Sequence, residues 1–271
     1  MNASDSFKAG RLSEAIDAQV QEVKAQPADQ GKRLFLFELL AFAGDLDRAR
    51  KQIDAVQYGE VERDATVQTY RMLLDAEQVR RRLFRDGLAP QFLVEPPEPV
   101  RWRLDAANRL REGRAAEASE LLQKADAASA AVQGALNGKP FATLRDADDL
   151  FGPVLEVLAH GKYFWVPLEQ IDSLAMNAPK FPRDLLWVPA RLEMADANGD
   201  VFLPALYPFS HEHADDQVKL GRATDWKQAG GGGRCRAWAC APSSWATTPS
   251  VCWSGGSCRS IKKRGDPDLP I

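Results

Sequence analysis

Cys235, Cys240, Cys252 and Cys258 are the only cysteines in the chain, and all lie in its last forty-one residues. Thiolates bind zinc, and structural zinc sites usually take them as close pairs that present two sulfurs from one knuckle. The spacing here is C-x4-C-x11-C-x5-C, so only the first pair fits and zinc is not expected. A disulfide framework conflicts with 230 preceding residues that hold no cysteine. The same stretch carries Trp238, Trp245 and Trp253 and no glutamate. Such a mixture is what out-of-frame translation of a GC-rich gene tends to give, so the reading frame is expected to change near Gly230–Gly233.

His211 and His213, in "HEH", set two imidazoles two residues apart, on one face if the segment is a strand. With a carboxylate such as Asp225 they carry a rival reading, a metal-dependent hydrolase in the β domain. No third ligand is placed by the sequence, and a polar loop after "LYPFS" is the simpler reading. "DANGD" opens like a calcium loop, but its glycine is fourth rather than sixth and its twelfth position is Tyr207, so it reads as a turn. "GGGG" at 230–233 lacks the Gly-Lys-Ser/Thr of a phosphate cradle, and no G-x-S-x-G or H-E-x-x-H occurs. Asp146, Asp148 and Asp149 read as the acidic start of a helix, and "QVRRRLFRDG" (78–87) as a basic helix end, both complementing the helix dipole. No catalytic residue, cofactor or metal is expected.

The elements that hold these residues follow from pattern and charge. The chain has 271 residues, 45% hydrophobic and 27% charged, which suits one large or two ordinary soluble domains. Net charge is −3, divided as +4 on residues 231–271 and −7 on the rest, which gives a nucleic-acid partner no general support. The longest apolar run, "LFLFELLAFA" (34–43), is too short to span a membrane and contains Glu38. With no secretory leader in "MNASDSFKAG", a cytoplasmic location is expected.

Gly10, Leu12 and Ala15 recur thirty-four positions later as Gly44, Leu46 and Ala49, with a looser copy at Gly113, Ala115 and Ala118. That period marks tetratricopeptide-type helical hairpins, in which glycine ends one helix and a small alanine lets the next pack closely. Pro27 closes the first copy. The second lacks a proline at Val61, and all three lack the usual aromatic, so the repeats are degenerate. Residues 64–84 predict a further helix with Asp64 as cap. Pro90, Pro96, Pro97 and Pro99 predict an extended connector, with helix resuming near Trp102. Residues 145–161 predict a last helix with Asp146 at its N-cap.

Near His160 the period changes from 3.6 to 2. "KYFWVPLEQI", "DLLWVPARLEM" and "DVFLPALYPF" predict strands of a small twisted sheet, with prolines at edges or bends. Asn198-Gly199 predicts the type I′ turn joining the last two. The expected class is α+β: helical repeats over 1–89, a connector at 90–100, further helices over 101–158, a β-rich domain over 159–230, and the atypical tail. If the tail is out of frame, the sheet lacks its closing strands.

Tyr163, Phe164, Trp165, Trp187, Phe202, Tyr207 and Phe209 crowd the β region. Most are expected in its core. The sharper expectation is that Tyr163, Phe164, Trp165, Trp187, Tyr207 and the cation Arg191 line a groove for a partner segment.

"YFWVPLEQIDSL", "FPRDLLWVPARLEM", "GDVFLPALYPFS" and "KLGRATDW", in this order behind degenerate repeats, resemble the ImpE/SciE (TagJ) family of type VI secretion accessory proteins. The likeness covers about residues 5–228 and stops abruptly after Trp226. It implies a non-catalytic adaptor that binds the N-terminal helix of the small contractile-sheath subunit, TssB, and is linked to the sheath-disassembly ATPase. A repeat stack that serves another client is the alternative adaptor reading.

Overall fold

Three glycines end three helices in the same way. Gly10, Gly44 and Gly113 have φ of +77°, +76° and +76°. The residue after each donates its amide to the carbonyl five positions back: Arg11 to Ser6 at 2.9 Å, Asp45 to Leu40 at 3.0 Å and Arg114 to Arg109 at 2.8 Å. This six-to-one closure needs a left-handed residue, which glycine adopts without a β-carbon clash. The glycines separate α1 (Ala3–Lys8) from α2 (Leu12–Ala25), α3 (Gln30–Phe42) from α4 (Leu46–Asp54), and α6 (Glu98–Arg111) from α7 (Ala115–Ala128). Ala15, Ala49 and Ala118 are fully buried, as close helix packing requires. In this computed structural model, residues 2–228, 235–239, 245–246 and 259–263 are described, with side chains for 2–225 and 260–262.

The long helix α5 (Val61–Asp86) runs between the second and third hairpins. Glu60, not Asp64, is its N-cap residue; Asp64 turns back to accept the amides of Tyr58 and Gly59 at 2.8 and 3.1 Å. Helix α6 starts at Glu98 rather than Trp102, with Pro99 in its first turn. There a missing N–H removes no hydrogen bond and the ring presets φ.

Strands begin at Gly134. They are β1 (Gly134–Leu136), β2 (Lys139–Phe141), β3 (Arg145–Asp146), β4 (Val154–Ala159), β5 (Lys162–Pro167), β6 (Ile171–Met176), β7 (Trp187–Met194) and β8 (Asn198–Pro204). The helix expected over 145–161 is therefore corrected. "VLEVLA" places apolar residues at helical spacing because both faces of β4 are buried: Val154 and Leu158 join the helix-side core, and Leu155 and Val157 the opposite one. Gly152, at φ +52°, and Pro153 separate β4 from the acidic loop before it. A short helix α8 (Asp216–Lys219) follows, then β9 (Asp225–Gln228), β10 (Cys235–Ala239), β11 (Trp245–Ala246) and β12 (Arg259–Lys263).

Eight strands form one sheet in the order β2-β1-β12-β6-β7-β8-β4-β5. Asn137-Gly138 (φ +51°, +77°) turns β1 into β2, and His160-Gly161 (φ +50°, +74°) turns β4 into β5. Both have the paired positive φ of a type I′ turn. Asn198-Gly199, expected to be such a turn, lies within β8 opposite Glu193 and Leu192. The reversal falls just before it, where the Met194 amide donates to the Ala197 carbonyl at 2.8 Å. The ladder of β7 with β8 starts at Glu193 opposite Asn198, so the dipeptide contributes pairing rather than a bend.

One sheet face packs on α3 and α5 through Leu158, Tyr163, Trp165, Trp187 and Tyr207; the other gathers Val166, Leu174, Val188, Leu192, Leu203 and Ile261 into a second core. Prolines blunt both sheet edges: Pro140 in β2 and Pro167 at the end of β5. The connector pairs with the middle of the β5 edge, with the Gln91 amide donating to Tyr163 O at 2.9 Å and Gln91 O accepting from the Trp165 amide at 3.0 Å. The architecture is α+β, with degenerate helical hairpins followed by a β-rich region. Among the described residues no helix is long and apolar enough to cross a membrane.

The four cysteine side chains, and with them the zinc and disulfide readings, lie outside the described residues, as does the Gly230–Gly233 stretch. Residues 259–263, by contrast, form a strand inside the large sheet, so one strand of the tail takes a sheet position.

Candidate functional site

The six residues expected to line a groove occupy different places. Tyr163 and Trp165 are fully buried; the Trp165 indole N–H donates to the Tyr163 hydroxyl at 2.6 Å, which donates to Glu156 at 2.5 Å. Phe164 points to the opposite face and belongs to the second core. Trp187 stacks on Phe37 of α3 at 6.2 Å, and Tyr207 stacks on Phe151 at 6.1 Å. These aromatics fasten the helix layer to the sheet. Of the six, Arg191 alone is exposed, reaching Asn198 Oδ1 at 3.2 Å and Asp200 at 3.5 Å.

Behind the aromatics lies a buried charge network. Arg80 of α5 grips Glu156 of β4 with two hydrogen bonds at 2.7 and 2.8 Å, donates to Leu206 O at 2.8 Å and lies 3.4 Å from Glu77. The neighbouring carboxylates raise the Arg80 pKa against its burial, so the guanidinium stays charged. Burial pushes Asp146 up to about 8, although Tyr207 and the Asp148 amide donate to it. Asp146 is thus a half-buried hydrogen-bonding group, not a helix cap. The rest of the acidic cluster is also tied down: Asp148 accepts the Leu150 amide at 2.8 Å, and Asp149 pairs with Arg145 at 2.6 Å. Burial raises Glu38 to about 7, outweighing the Arg183 guanidinium 2.5 Å away, which is sandwiched between the rings of Tyr70 and Phe181.

The histidines are divided between two environments. Ser210–Glu212 is a 3-10 turn, so the alternation that would set His211 and His213 on one strand face is absent. His211 sits against the Gly44 turn, and burial drops it to about 4. His213 Nδ1 accepts the Asp215 amide at 3.0 Å, and its Nε2 faces Asp225 at 3.1 Å. These two contacts lock the turn that follows Glu212. Among the described residues no group of three or more His, Cys, Asp and Glu is placed to hold a metal ion. A cavity of about 40 Å³ beside Asp146 and Glu156, and one of about 30 Å³ between α3, α5 and the sheet, have room for a few waters.

The surface offers a different candidate. Five large apolar side chains are exposed among the described residues, and three of them, Leu88, Leu93 and Val94, lie in the segment between α5 and α6 whose Gln91 pairs with β5. The prolines around them marked that stretch as a linker. The signal that pointed further was its run of apolar residues, which a solvated linker does not need.

The model of the ImpE protein family matches residues 138–238, starting at the β1–β2 turn. The type VI secretion system accessory component TagJ of Pseudomonas aeruginosa is 41% identical over 233 residues, covering 85% of this chain and 82% of that protein. A crystal structure of a Vibrio parahaemolyticus protein superposes with a TM-score of 0.83 over 99% of both chains at 21% identity, which establishes the likeness of fold. With the repeat turns, the strands of the resemblance motifs and this identity in agreement, the chain belongs to the ImpE/TagJ family.

Proposed function

We propose that the chain is a non-catalytic accessory component of a type VI secretion system, acting in the cytoplasm as an adaptor. It binds the N-terminal helix of the small contractile-sheath subunit (TssB-like) and through it meets the sheath-disassembly ATPase indirectly. The observation that carries this reading is the 41% identity, over most of both chains, to a protein named as such an accessory component. The buried acids and cations support it by being spent on one another at the helix–sheet junction, beside cavities of water size. The exposed side chains of Leu88, Leu93 and Val94 offer anchors of the kind that an amphipathic helix lays its apolar face upon. Arg191 is the one groove candidate exposed to a partner.

Calorimetric titration with a synthetic peptide from the N-terminus of the small sheath subunit tests the reading. Saturable binding near 1:1 is expected. Leu93→Asp should weaken it at least tenfold without lowering Tm. A titration without heat, repeated by fluorescence anisotropy without signal, would overturn the sheath reading.

A further inference from the structure

The β1–β2 hairpin is joined to the rest of the large sheet through β12 alone, since β1 neighbours β2 and β12, and β6 neighbours β12 and β7. Two features of the flanking strands are shaped for a strand in that gap. A β-carbon on Gly134 would lie 2.2 Å from the Lys262 carbonyl oxygen, so only glycine lets the inserted backbone approach. Asn137, held at φ +51°, addresses the inserted backbone in both directions: its amide donates to Ser260 O at 2.9 Å, and its side-chain oxygen accepts the Ser260 amide at 2.8 Å. Pairing is antiparallel on both sides, with Ile261 opposite Leu136 and Leu174. Of the inserted side chains described, Ile261 is buried in the second core, while Ser260 and Lys262 are partly exposed.

We propose that the gap between β1 and β6 is a strand-accepting peptide site. Its ligand is an extended segment with one β-branched apolar residue flanked by polar or basic ones, and the chain's own residues 259–263 fill it here. The site recognises mostly backbone, through two ladders and the Asn137 clamp, and reads sequence at one position. A segment of that chemistry supplied in trans therefore competes with the chain's own strand.

The test uses the full-length Ile261→Asp variant, which ejects the resident strand, and a fluorescein-labelled peptide Arg-Ser-Ile-Lys-Lys-Arg. Anisotropy should show saturable binding to the variant at least tenfold tighter than to the unaltered chain. A peptide with proline in place of isoleucine should not bind, nor should the original peptide bind when Gly134→Val is added. Equal binding by the unaltered chain, indifference to Gly134→Val, or no binding by the folded variant would each overturn the proposal. If Ile261→Asp does not fold, hydrogen exchange on the unaltered chain decides. Amides of Ser260–Lys262 should be protected together with those of Gly134–Leu136, and exchange of Ser260–Lys262 at the unprotected rate sinks the site.

Discussion

The carboxylate of Asp216 accepts the Leu12 amide at 2.8 Å across 204 residues of sequence, and the Ser13 amide at 3.3 Å. Helix α2 has no cap of its own, because the Arg11 side chain at its N-cap turns to Glu14 at 2.9 Å and makes no capping hydrogen bond. The neighbours of Asp216 act on the same turn: Gln217 donates to Gly10 O, and Arg222 donates to Phe7 O and Lys8 O at 2.9 Å each. Asp216→Ala should cost about 1 kcal/mol, the usual worth of an N-cap. Urea unfolding checks this, with a lower midpoint at unchanged slope.

The three repeat glycines share one backbone conformation but not one environment. A β-carbon at Gly113 meets nothing within 4 Å, at Gly10 it meets the flexible end of Gln217, and at Gly44 it meets the His211 ring at 2.0 Å. Alanine at Gly113 should therefore cost only the left-handed strain, about 1–2 kcal/mol. Gly10→Ala should cost somewhat more and Gly44→Ala the most. Equal losses at all three positions, measured as Tm or urea midpoint, would show that the 211–217 segment does not seat on the turns.

Arg80→Leu should be severe. It leaves Glu156 and Glu77 buried without their shared cation, a change worth about 3–5 kcal/mol. Arg80→Leu combined with Glu156→Leu should recover part of that loss, and chemical denaturation of both variants measures it.

Asp146 gives stability a definite pH slope. It titrates near 8 when folded and at its ordinary 3.8 when unfolded, so the neutral form favours folding. That contribution is fully present below about pH 4 and is lost as pH rises through 8. Asp146→Asn should flatten the fall in Tm between pH 5 and 9; an unchanged slope would place its origin elsewhere.

His211 acts in the opposite sense. Its folded value is lowered to about 4 from 6.5, so stability is present above 6.5 and is lost as pH falls toward 4. His211→Gln should remove the part of the acid-side loss that lies in this window, read from Tm across pH 4–7.

Local rules carried far in the helical half, where each glycine and alanine of the repeat does what its size and φ freedom allow. They failed where a residue's role depends on a distant partner. Asp146 looked like a cap because acids favour helix starts, but Tyr207 and a strand environment claim it. Residues 154–159 mimic a helix because a strand buried on both faces loses its alternation. The Asn-Gly signal was sound chemistry assigned to the wrong copy: Asn137-Gly138 makes the turn and Asn198-Gly199 does not. The groove aromatics were legible as a cluster, but their burial is set by the helix layer on one sheet face and the second core on the other, which no local window contains.

The cap on α2 also places a delay in the life of the chain. The helix begins at Leu12, and its capping carboxylate comes 204 residues later. A ribosome adding about 5–20 residues per second takes about 10–40 s to deliver it. Until then the first hairpin is an unlatched end, and whatever shields it in that interval does so before the latch has been made.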